Sequence, residues 1–202
     1  MSQTIYVKFG KDNPNSYLGL DIIYRNRKTI GKDSIQILYN KLGNNLKRTG
    51  KGEALRIFFN EDLAQKGKKY IDFEAYSING QKFKLSSLEG KYILLSFGSA
   101  GCAPCRSENK SISENYDKYK DKISFVYFSI DKNKDPWIDA SNKDNIKWTN
   151  ISDLMGEKSR IKNLYNVQSI PTSFLIDKNG VIVEILNGYD EDFLFELEKK
   201  LI

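Results

Sequence analysis

The chain has 202 residues and a formal net charge of +6, and 40% of its residues are hydrophobic, including 11 Phe and 12 Tyr. A chain of this length buries roughly 70% of its unfolded surface, which suffices for one ordinary domain with an additional segment. No apolar stretch approaches the about 18 residues of a membrane span. The lysines are scattered among 26 acidic residues and form no basic run interleaved with aromatic side chains. Composition therefore argues against a nucleic-acid partner.

The first third of the chain predicts helices after one short strand. Residues 4–9 alternate apolar and polar side chains as a β-strand does. From Pro14 onward the apolar residues recur at helical spacing, which predicts about three short helices with Ser16 and Asp33 as N-caps. The aromatic residues of this segment are more typical of a core or docking surface than of a cofactor site.

A basic hinge at residues 66–69 divides the chain into a helical segment, residues 1–68, and a second domain, residues 69–202. After the hinge the apolar period changes to two on both sides of the turn dipeptide Asn79-Gly80, which predicts a β-hairpin. The later elements follow in the order strand 92–97, helix 104–119, strand 123–130, helix 135–140, strand 148–151, helix 158–165, strands 172–176 and 181–186, and helix 190–201. This order predicts an α/β domain that contains a βαβ unit.

The two cysteines of the chain, Cys102 and Cys105, directly follow the apolar strand at residues 92–97. A thiol pair with this spacing, at a strand-to-helix junction, can close and open a disulfide while the helix end activates the first thiol. A structural disulfide stays open as an alternative, although a cross-link over so short a loop stabilises little. One half of a zinc site is the other alternative, but the chain has no His and no third Cys to complete it. Dithiol–disulfide exchange, without metal or cofactor, is therefore the favoured hypothesis.

Two sequence motifs resemble the thioredoxin superfamily, most closely its exported TlpA/ResA-like thiol-disulfide oxidoreductases. They read SFGSAGCAPCRSE at residues 96–108 and SIPTSFLID at residues 169–177. The resemblance covers about residues 70–202 and implies a thioredoxin-like fold with an N-terminal β-hairpin and a central insertion, preceded by a small α-helical segment. Residues 13–18 are similar to the helical segment that precedes this domain in Bacteroidetes-type members.

The sequence departs from the family at three positions near the cysteines. Tryptophan is common in the family where this chain has Gly98 and Gly101. The second of these tryptophans packs beside the exposed thiol and helps to form the partner-docking surface. The thioredoxins proper have a buried aspartate where Ser96 stands, so the resemblance predicts that no proton shuttle operates from that position.

The resemblance implies an enzyme, a protein-disulfide oxidoreductase that acts as a disulfide reductase on protein thiols and disulfides. Cys102 would be the nucleophile, because Pro104 allows the helix to begin at the thiol pair and the helix end stabilises a thiolate. Cys105 would then resolve the mixed disulfide. Glu108 lies on nearly the same helix face as Cys105 and would take the proton that this thiol loses. Arg106 would add positive charge; the alternative for Arg106 and for Glu108 is a charge of an early helical turn with no function at the site.

The second motif supplies the other predicted site residues. The resemblance implies a cis bond between Ile170 and Pro171, with Pro171 against the thiols as part of the catalytic site. The Ile170 main chain would pair with an extended segment of the substrate. Thr172, Ala103 and Pro104 would border the same groove.

Family members usually work in the periplasm or cell envelope and are regenerated by a membrane electron donor, so the resemblance implies this compartment and this partner. Residues 1–5 lack a basic segment followed by an apolar core, so we expect either a cytosolic protein or a chain whose secretory leader has been removed.

Two other functions stay open. A peroxiredoxin-like peroxidase is the nearest enzymatic alternative, because Ser99 stands three residues before Cys102. The proline of that active site is absent, since Leu95 occupies its position. A non-enzymatic binding or scaffold module with a vestigial dithiol is the alternative from a different class.

Overall fold

The computed structural model describes residues 3–201, so Met1, Ser2 and Ile202, at the outer limits of the two predicted domains, lie outside the described residues. The chain forms two compact units. The first contains the residues up to Leu63 together with Glu157–Gln168, and the second contains Ala64–Gly156 and the residues from Ser169 onward. No helix within residues 3–201 is both long enough and apolar enough to cross a bilayer.

The helices and strands are labelled in chain order. They are α1 (Gln3–Asp12), α2 (Tyr17–Arg25), α3 (Arg27–Ile30), α4 (Lys32–Asn40), α5 (Asn44–Lys47), α6 (Gly50–Asn60), β1 (Glu74–Ser77), β2 (Lys82–Lys84), β3 (Tyr92–Gly98), α7 (Ala103–Tyr119), β4 (Ile123–Ser129), α8 (Lys134–Lys143), β5 (Thr149–Ser152), α9 (Arg160–Leu164), β6 (Thr172–Ile176), β7 (Ile182–Asn187) and α10 (Phe193–Glu198). The elements of the second unit agree with the predicted order.

The N-terminal segment differs from its prediction, because residues 4–9 lie in α1 and not in a strand. A lone strand would leave main-chain groups unpaired, whereas a helix satisfies them within the segment. At Gly10 an added Cβ would lie 2.7 Å from Ile22 of α2, which shows how closely the two helices approach.

The helices between residues 17 and 60 are also shorter and more numerous than the three that the sequence predicts. Ser16 is confirmed as the N-cap of α2, since its Oγ accepts the Gly19 N–H at 3.0 Å. Asp33 was wrongly predicted as a cap: Gly31 is the N-cap of α4, and Asp33 lies within its first turn.

The core of the first unit includes a segment from late in the chain. Its buried apolar side chains include Leu20, Ile23, Ile35, Leu38, Leu55 and Phe58. Leu164 of α9 packs against this cluster, and Arg160 forms an ion pair with Glu61 at 3.0 Å. The predicted division at residues 68 and 69 stays a prediction, but the sequence did not reveal that residues 157–168 belong with the helices.

The second unit contains one seven-stranded mixed sheet with the order β2-β1-β5-β4-β3-β6-β7. All residues of β3 are buried, and this strand runs parallel to β4 and antiparallel to β6. The β1–β2 hairpin around Asn79-Gly80 is confirmed. β3, α7 and β4 form the predicted βαβ unit, so the carboxyl ends of β3 and β4 lie at one edge of the sheet, where α7 begins.

The face of the sheet that α7 covers holds an apolar core of this unit. Leu94 of β3 pairs in register with Phe125 of β4 and Leu175 of β6. Ile112 and Tyr119 of α7 pack against this row. Each large apolar side chain buried in this way contributes about 1.5–3 kcal/mol to stability, so the sheet holds α7 firmly.

We predict that α9 depends on the helical unit for its protection. A fragment of residues 64–202 should keep slow amide hydrogen exchange in β3, whereas the amides of α9 should exchange much faster than in the full chain. The reason is that the five-residue α9 is too short to be stable without its partners. Hydrogen-exchange mass spectrometry of the fragment and the full chain measures both, with β3 as the internal control. Equal protection of α9 in the two proteins would contradict this dependence.

Candidate active site

The cysteine pair lies at the junction between β3 and α7. Cys102 is the N-cap of α7, and it forms a disulfide with Cys105, with 5.2 Å between their Cα atoms. Cys102 is half-buried, whereas Cys105 is only 1% exposed. Partners can therefore approach the first sulfur and not the second.

The first turn of α7 favours a negative charge on Cys102. The Cys102 Sγ accepts the Cys105 N–H at 3.2 Å, so the sulfur lies where the main-chain N–H groups of the helix start point. Pro104, in this first turn, lacks an N–H and suits the helix start. In the reduced protein the same N–H groups and the helix dipole would stabilise a Cys102 thiolate. Ala103 and Pro104 are exposed beside it.

The loop before Cys102 is attached to the neighbouring strand. The Ala100 N–H donates to the Asp131 carboxylate at 2.9 Å, and the Ser129 hydroxyl donates to the same oxygen at 2.7 Å. Ser129 is the last residue of β4 and pairs in register with Gly98. Sequence reasoning missed Asp131, although its signal was present: a carboxylate directly after the strand next to the redox strand.

Close packing leaves no room for a side chain at Gly98. A Cβ at this position would lie 2.8 Å from the ring and hydroxyl of Tyr127 and 3.1 Å from the Cys105 Cβ. The Tyr127 phenol is buried, its hydroxyl bonds to the Asn109 side chain, and burial raises its pKa. Tyr127 therefore occupies the space that a larger residue at position 98 would need. Gly101 differs, because within residues 3–201 no atom beyond Gly101 itself and its two chain neighbours lies within 4 Å of its Cβ position.

Arg106 forms an ion pair with a buried carboxylate. Its Nε donates to Asp144, the C-cap of α8, and its Nη2 donates to the Ala140 carbonyl at 3.2 Å. The hydrogen bond with Asp144 raises the pKa of Arg106. The Asp144 side chain is fully buried, so the pair joins α7 to α8 and adds little net charge near Cys102.

Glu108 lies on the buried face of α7, the helix that begins at the cysteine pair. Its side chain is 1% exposed, and Oε1 accepts the Ser173 hydroxyl at 2.8 Å. Oε2 has no hydrogen-bond partner among the residues that the structure describes. Burial raises the pKa of Glu108 to about 7, although hydrogen bonds from Ser96 and Ser173 oppose this rise. Glu108 is therefore a buried carboxyl and not an exposed charge, and its role in catalysis stays a prediction.

The second motif lies at the same edge of the sheet as the cysteines. Thr172, the first residue of β6, pairs in register with Phe97 near the end of β3. The bond between Ile170 and Pro171 is cis, as the resemblance predicts. Ile170 is half-buried, whereas Thr172 is 3% exposed and donates its hydroxyl to the Ser169 carbonyl at 2.7 Å. The roles of these residues in substrate binding stay predictions.

The sequence of the second unit is similar to those of known thiol-disulfide oxidoreductases. Residues 66–185 match the sequence model of the AhpC/TSA family. The thiol-disulfide oxidoreductase ResA of Bacillus thuringiensis (strain Al Hakam) is 33% identical over 133 residues, which are 65% of this chain and 75% of ResA.

Two solved structures have the same fold. The thiol-disulfide oxidoreductase from Bacteroides fragilis NCTC 9343 is 24% identical, with a TM-score of 0.60, over 67% of this chain and all (100%) of that chain. A secreted disulfide oxidoreductase from Mycobacterium tuberculosis is 25% identical, with a TM-score of 0.54, over 60% of this chain and 90% of that chain. These likenesses confirm the thioredoxin-like fold, and in this chain the helices α1–α6 precede it.

We predict that Gly98→Ala destabilises the protein by about 1–3 kcal/mol, because the new methyl group overlaps the Tyr127 ring. The matched control is Gly101→Ala, which should change stability by less than about 0.5 kcal/mol because its Cβ meets nothing. Urea unfolding of the disulfide form measures both variants. Equal effects of the two substitutions would show that Tyr127 yields freely.

We predict that Glu108→Gln flattens the dependence of stability on pH. The pKa of Glu108 is raised in the folded protein, so its favourable contribution is complete below the ordinary pKa of 4.5 and is lost as the pH rises through about 7. The difference between these two pKa values corresponds to about 3 kcal/mol in the free energy of unfolding. The variant should therefore gain up to about 3 kcal/mol relative to wild type between about pH 4 and pH 8.

The control for this experiment is Glu114→Gln, which changes an exposed carboxylate on the same helix. Urea unfolding of the disulfide forms across this pH range measures the free energy of unfolding of each protein. If the Glu108→Gln and wild-type curves stay parallel, Glu108 does not retain its proton in the folded state.

Proposed function

The chain belongs to the AhpC/TSA thioredoxin-like family and has the Cys-x-x-Cys disulfide of a thiol-disulfide oxidoreductase, and we propose that it acts as a disulfide reductase of proteins. The observation that carries this proposal is the unequal exposure of the pair: half-buried Cys102 at a helix start is bonded to buried Cys105. Such a pair can attack a partner with one sulfur and release it with the other.

The first step begins with the reduced pair. The Cys102 thiolate attacks one sulfur of the partner disulfide, a bond forms between Cys102 and the partner, and the partner disulfide breaks. The second partner sulfur leaves as a thiolate and takes up a proton. The N–H groups at the start of α7 support this step, because they stabilise the attacking thiolate.

The second step releases the partner. Cys105 loses its proton to Glu108 and attacks the Cys102 sulfur, so that the Cys102–Cys105 disulfide forms and the bond to the partner breaks. The partner leaves as a thiolate and is protonated, and two electrons have passed from the enzyme dithiol to the partner disulfide. The pKa of Glu108, about 7, suits a group that takes up and returns a proton near neutral pH.

The partner protein would bind beside the Cys102 sulfur. Within residues 3–201 the Ile170 main chain makes no hydrogen bond to another residue, which leaves it able to pair with an extended segment of a partner protein. The exposed residues Ala103 and Pro104 would form the other side of this groove, with Pro171 and Thr172 at its base.

Regeneration requires a reductant, for which we propose a membrane electron donor in the periplasm or cell envelope. The support is that the similar Mycobacterium tuberculosis protein is a secreted disulfide oxidoreductase. The peroxidase alternative has less support, because Cys102 is bonded to Cys105 and its N–H is held by the Ser99 carbonyl oxygen at 3.2 Å.

We predict that Cys105→Ser traps mixed disulfides between Cys102 and partner proteins, because the attack that releases the partner is lost. The matched control, Cys102→Ser, should trap little, since its remaining thiol is buried. In the reduced wild-type protein, limiting iodoacetamide should modify Cys102 first, as peptide mass spectrometry would show. Faster labelling of Cys105 would reverse the assigned roles.

The direction of electron flow follows from the reduction potential of the pair. A reductase should have a potential below that of glutathione, and a difference of about 30 mV corresponds to about 1.4 kcal/mol for two electrons. Equilibration with glutathione redox buffers measures it. A potential well above glutathione would identify an oxidase of protein thiols instead, and full biological activity without both cysteines would favour the non-enzymatic module.

A further inference from the structure

Three buried polar side chains form a hydrogen-bonded chain from the redox helix to the sheet. The Ser173 Oγ lies 2.8 Å from Oε1 of Glu108 and 2.7 Å from the Oγ of Ser96. Ser96 on β3 and Ser173 on β6 are direct partners in register. Their exposures are 5% and 1%, and that of Glu108 is 1%, so all three groups are removed from solvent.

The hydrogen-bonded serines follow an apolar row on the same face of the sheet. In the row nearer the amino end of β3, Leu94 stands between Phe125 and Leu175. In the next row on the same face, Ser96 stands between Tyr127 and Ser173. Burial of a hydroxyl group lowers stability unless the group is hydrogen-bonded. Two neighbouring serines in the core therefore need a further polar group as a hydrogen-bonding partner. Glu108 is that partner.

The two hydroxyls satisfy Glu108 in either of its charge states. When the carboxylate is ionised it can only accept, so Ser173 donates to Oε1 and Ser96 donates to Ser173. When Glu108 is protonated at Oε1, the carboxyl donates to Ser173, and Ser173 donates to Ser96. The two hydrogen bonds then run in the opposite direction, and no heavy atom has to move. Oε2, which has no partner among the described residues, is left available to receive a proton.

We propose that Ser173, oriented by Ser96, is a positioning residue that holds the Glu108 carboxylate ready to take the proton of Cys105 in the resolving step. This inference rests on the proposed function and assigns to it two residues that do not touch the reacting sulfurs. The proton passes from the Cys105 Sγ to Oε2 of Glu108, directly or through one water. The thiolate so formed attacks the Cys102 sulfur, and the bond between Cys102 and the partner breaks.

Few other titratable groups face Glu108. β3 and β6 present the two serine hydroxyls, and β4 presents Tyr127, on which the charges of Asp131, Asp144 and Glu108 all act. On α7 itself, Cys105 lies one turn earlier, and the charge of Arg106 is neutralised by Asp144. The hydrogen bonds of Ser96 and Ser173 are therefore the interactions that favour the ionised carboxylate against its burial.

The direct test is the titration of Glu108 in the disulfide form, where no thiol titrates. Carboxyl carbon NMR of protein labelled at glutamate should give a midpoint near pH 7 for wild type. In Ser173→Ala the midpoint should rise by about one pH unit or more, because the ionised form loses a charge-assisted hydrogen bond. Ser96→Ala should also raise the midpoint, because Ser96 stabilises the ionised carboxylate as well, and the conservative variant Ser173→Thr should keep the midpoint near the wild-type value.

The second test is the resolving step measured by stopped flow with a mixed disulfide at Cys102. At pH 7 the Ser173→Ala variant should be about fivefold slower, because a smaller fraction of Glu108 is ionised. The rate should recover at about pH 9, where the carboxylate forms again. A variant that only damages the fold would be slow at every pH and would not show this recovery.

The outcomes separate this inference from the proposed function. An unchanged Glu108 midpoint in Ser173→Ala would overturn the inference, even if the protein proves to be an active reductase. A slow rate that does not recover at high pH would also overturn it. Absence of disulfide exchange in the wild type would refute the proposed function, while the NMR titration would still measure the effect of the serines on Glu108.

Discussion

The site depends on the hydrogen bonding of β3 to a strand on each side, because this fixes the end of β3 under the start of α7. β3 is buried along its whole length and pairs with β4 and β6 up to its last residues. The redox pair follows within one short loop, so its position relative to the sheet is set by main-chain bonds. This constraint places Cys102 at the N-cap and Cys105 in the core, and it makes their chemical environments unequal.

Polar contacts hold the chain on both sides of the cysteines. The loop before Cys102 is held by Asp131, and the helix after it by the pair of Arg106 and Asp144. Tyr127 fills the space above Gly98. Each of these contacts lies within the second unit and holds the junction between β3 and α7 in place. None of them covers Gly101, so the surface next to Cys102 stays open to a partner protein.

Glu108 shows how the proposed function and the stability of the fold oppose each other in this core. Burial of the Glu108 carboxyl raises the free energy of the folded protein when this group is ionised. For this reason the pKa of Glu108 rises to about 7. An apolar residue would pack there without that cost. The serine pair reduces the cost without removing it, so the carboxyl keeps a pKa at which a proton can both arrive and leave.

The sequence by itself determined the second unit in detail and the first only in outline. Strong apolar periodicity and the Asn79-Gly80 turn were enough for the element order of the second unit, and the spacing of the cysteines was enough for the thiol pair, because these signals are local. The cis bond at Pro171 was expected only from the resemblance to a family. Residues 4–9 were misassigned because six residues of alternation do not distinguish a strand from a helix that packs on a neighbour. Only the tertiary structure joined Glu108 to Ser96 and Ser173, placed Asp131 and Asp144, and moved residues 157–168 into the helical unit. These contacts join residues far apart in the chain, and their partners are chosen by strand register and packing, which no local pattern records.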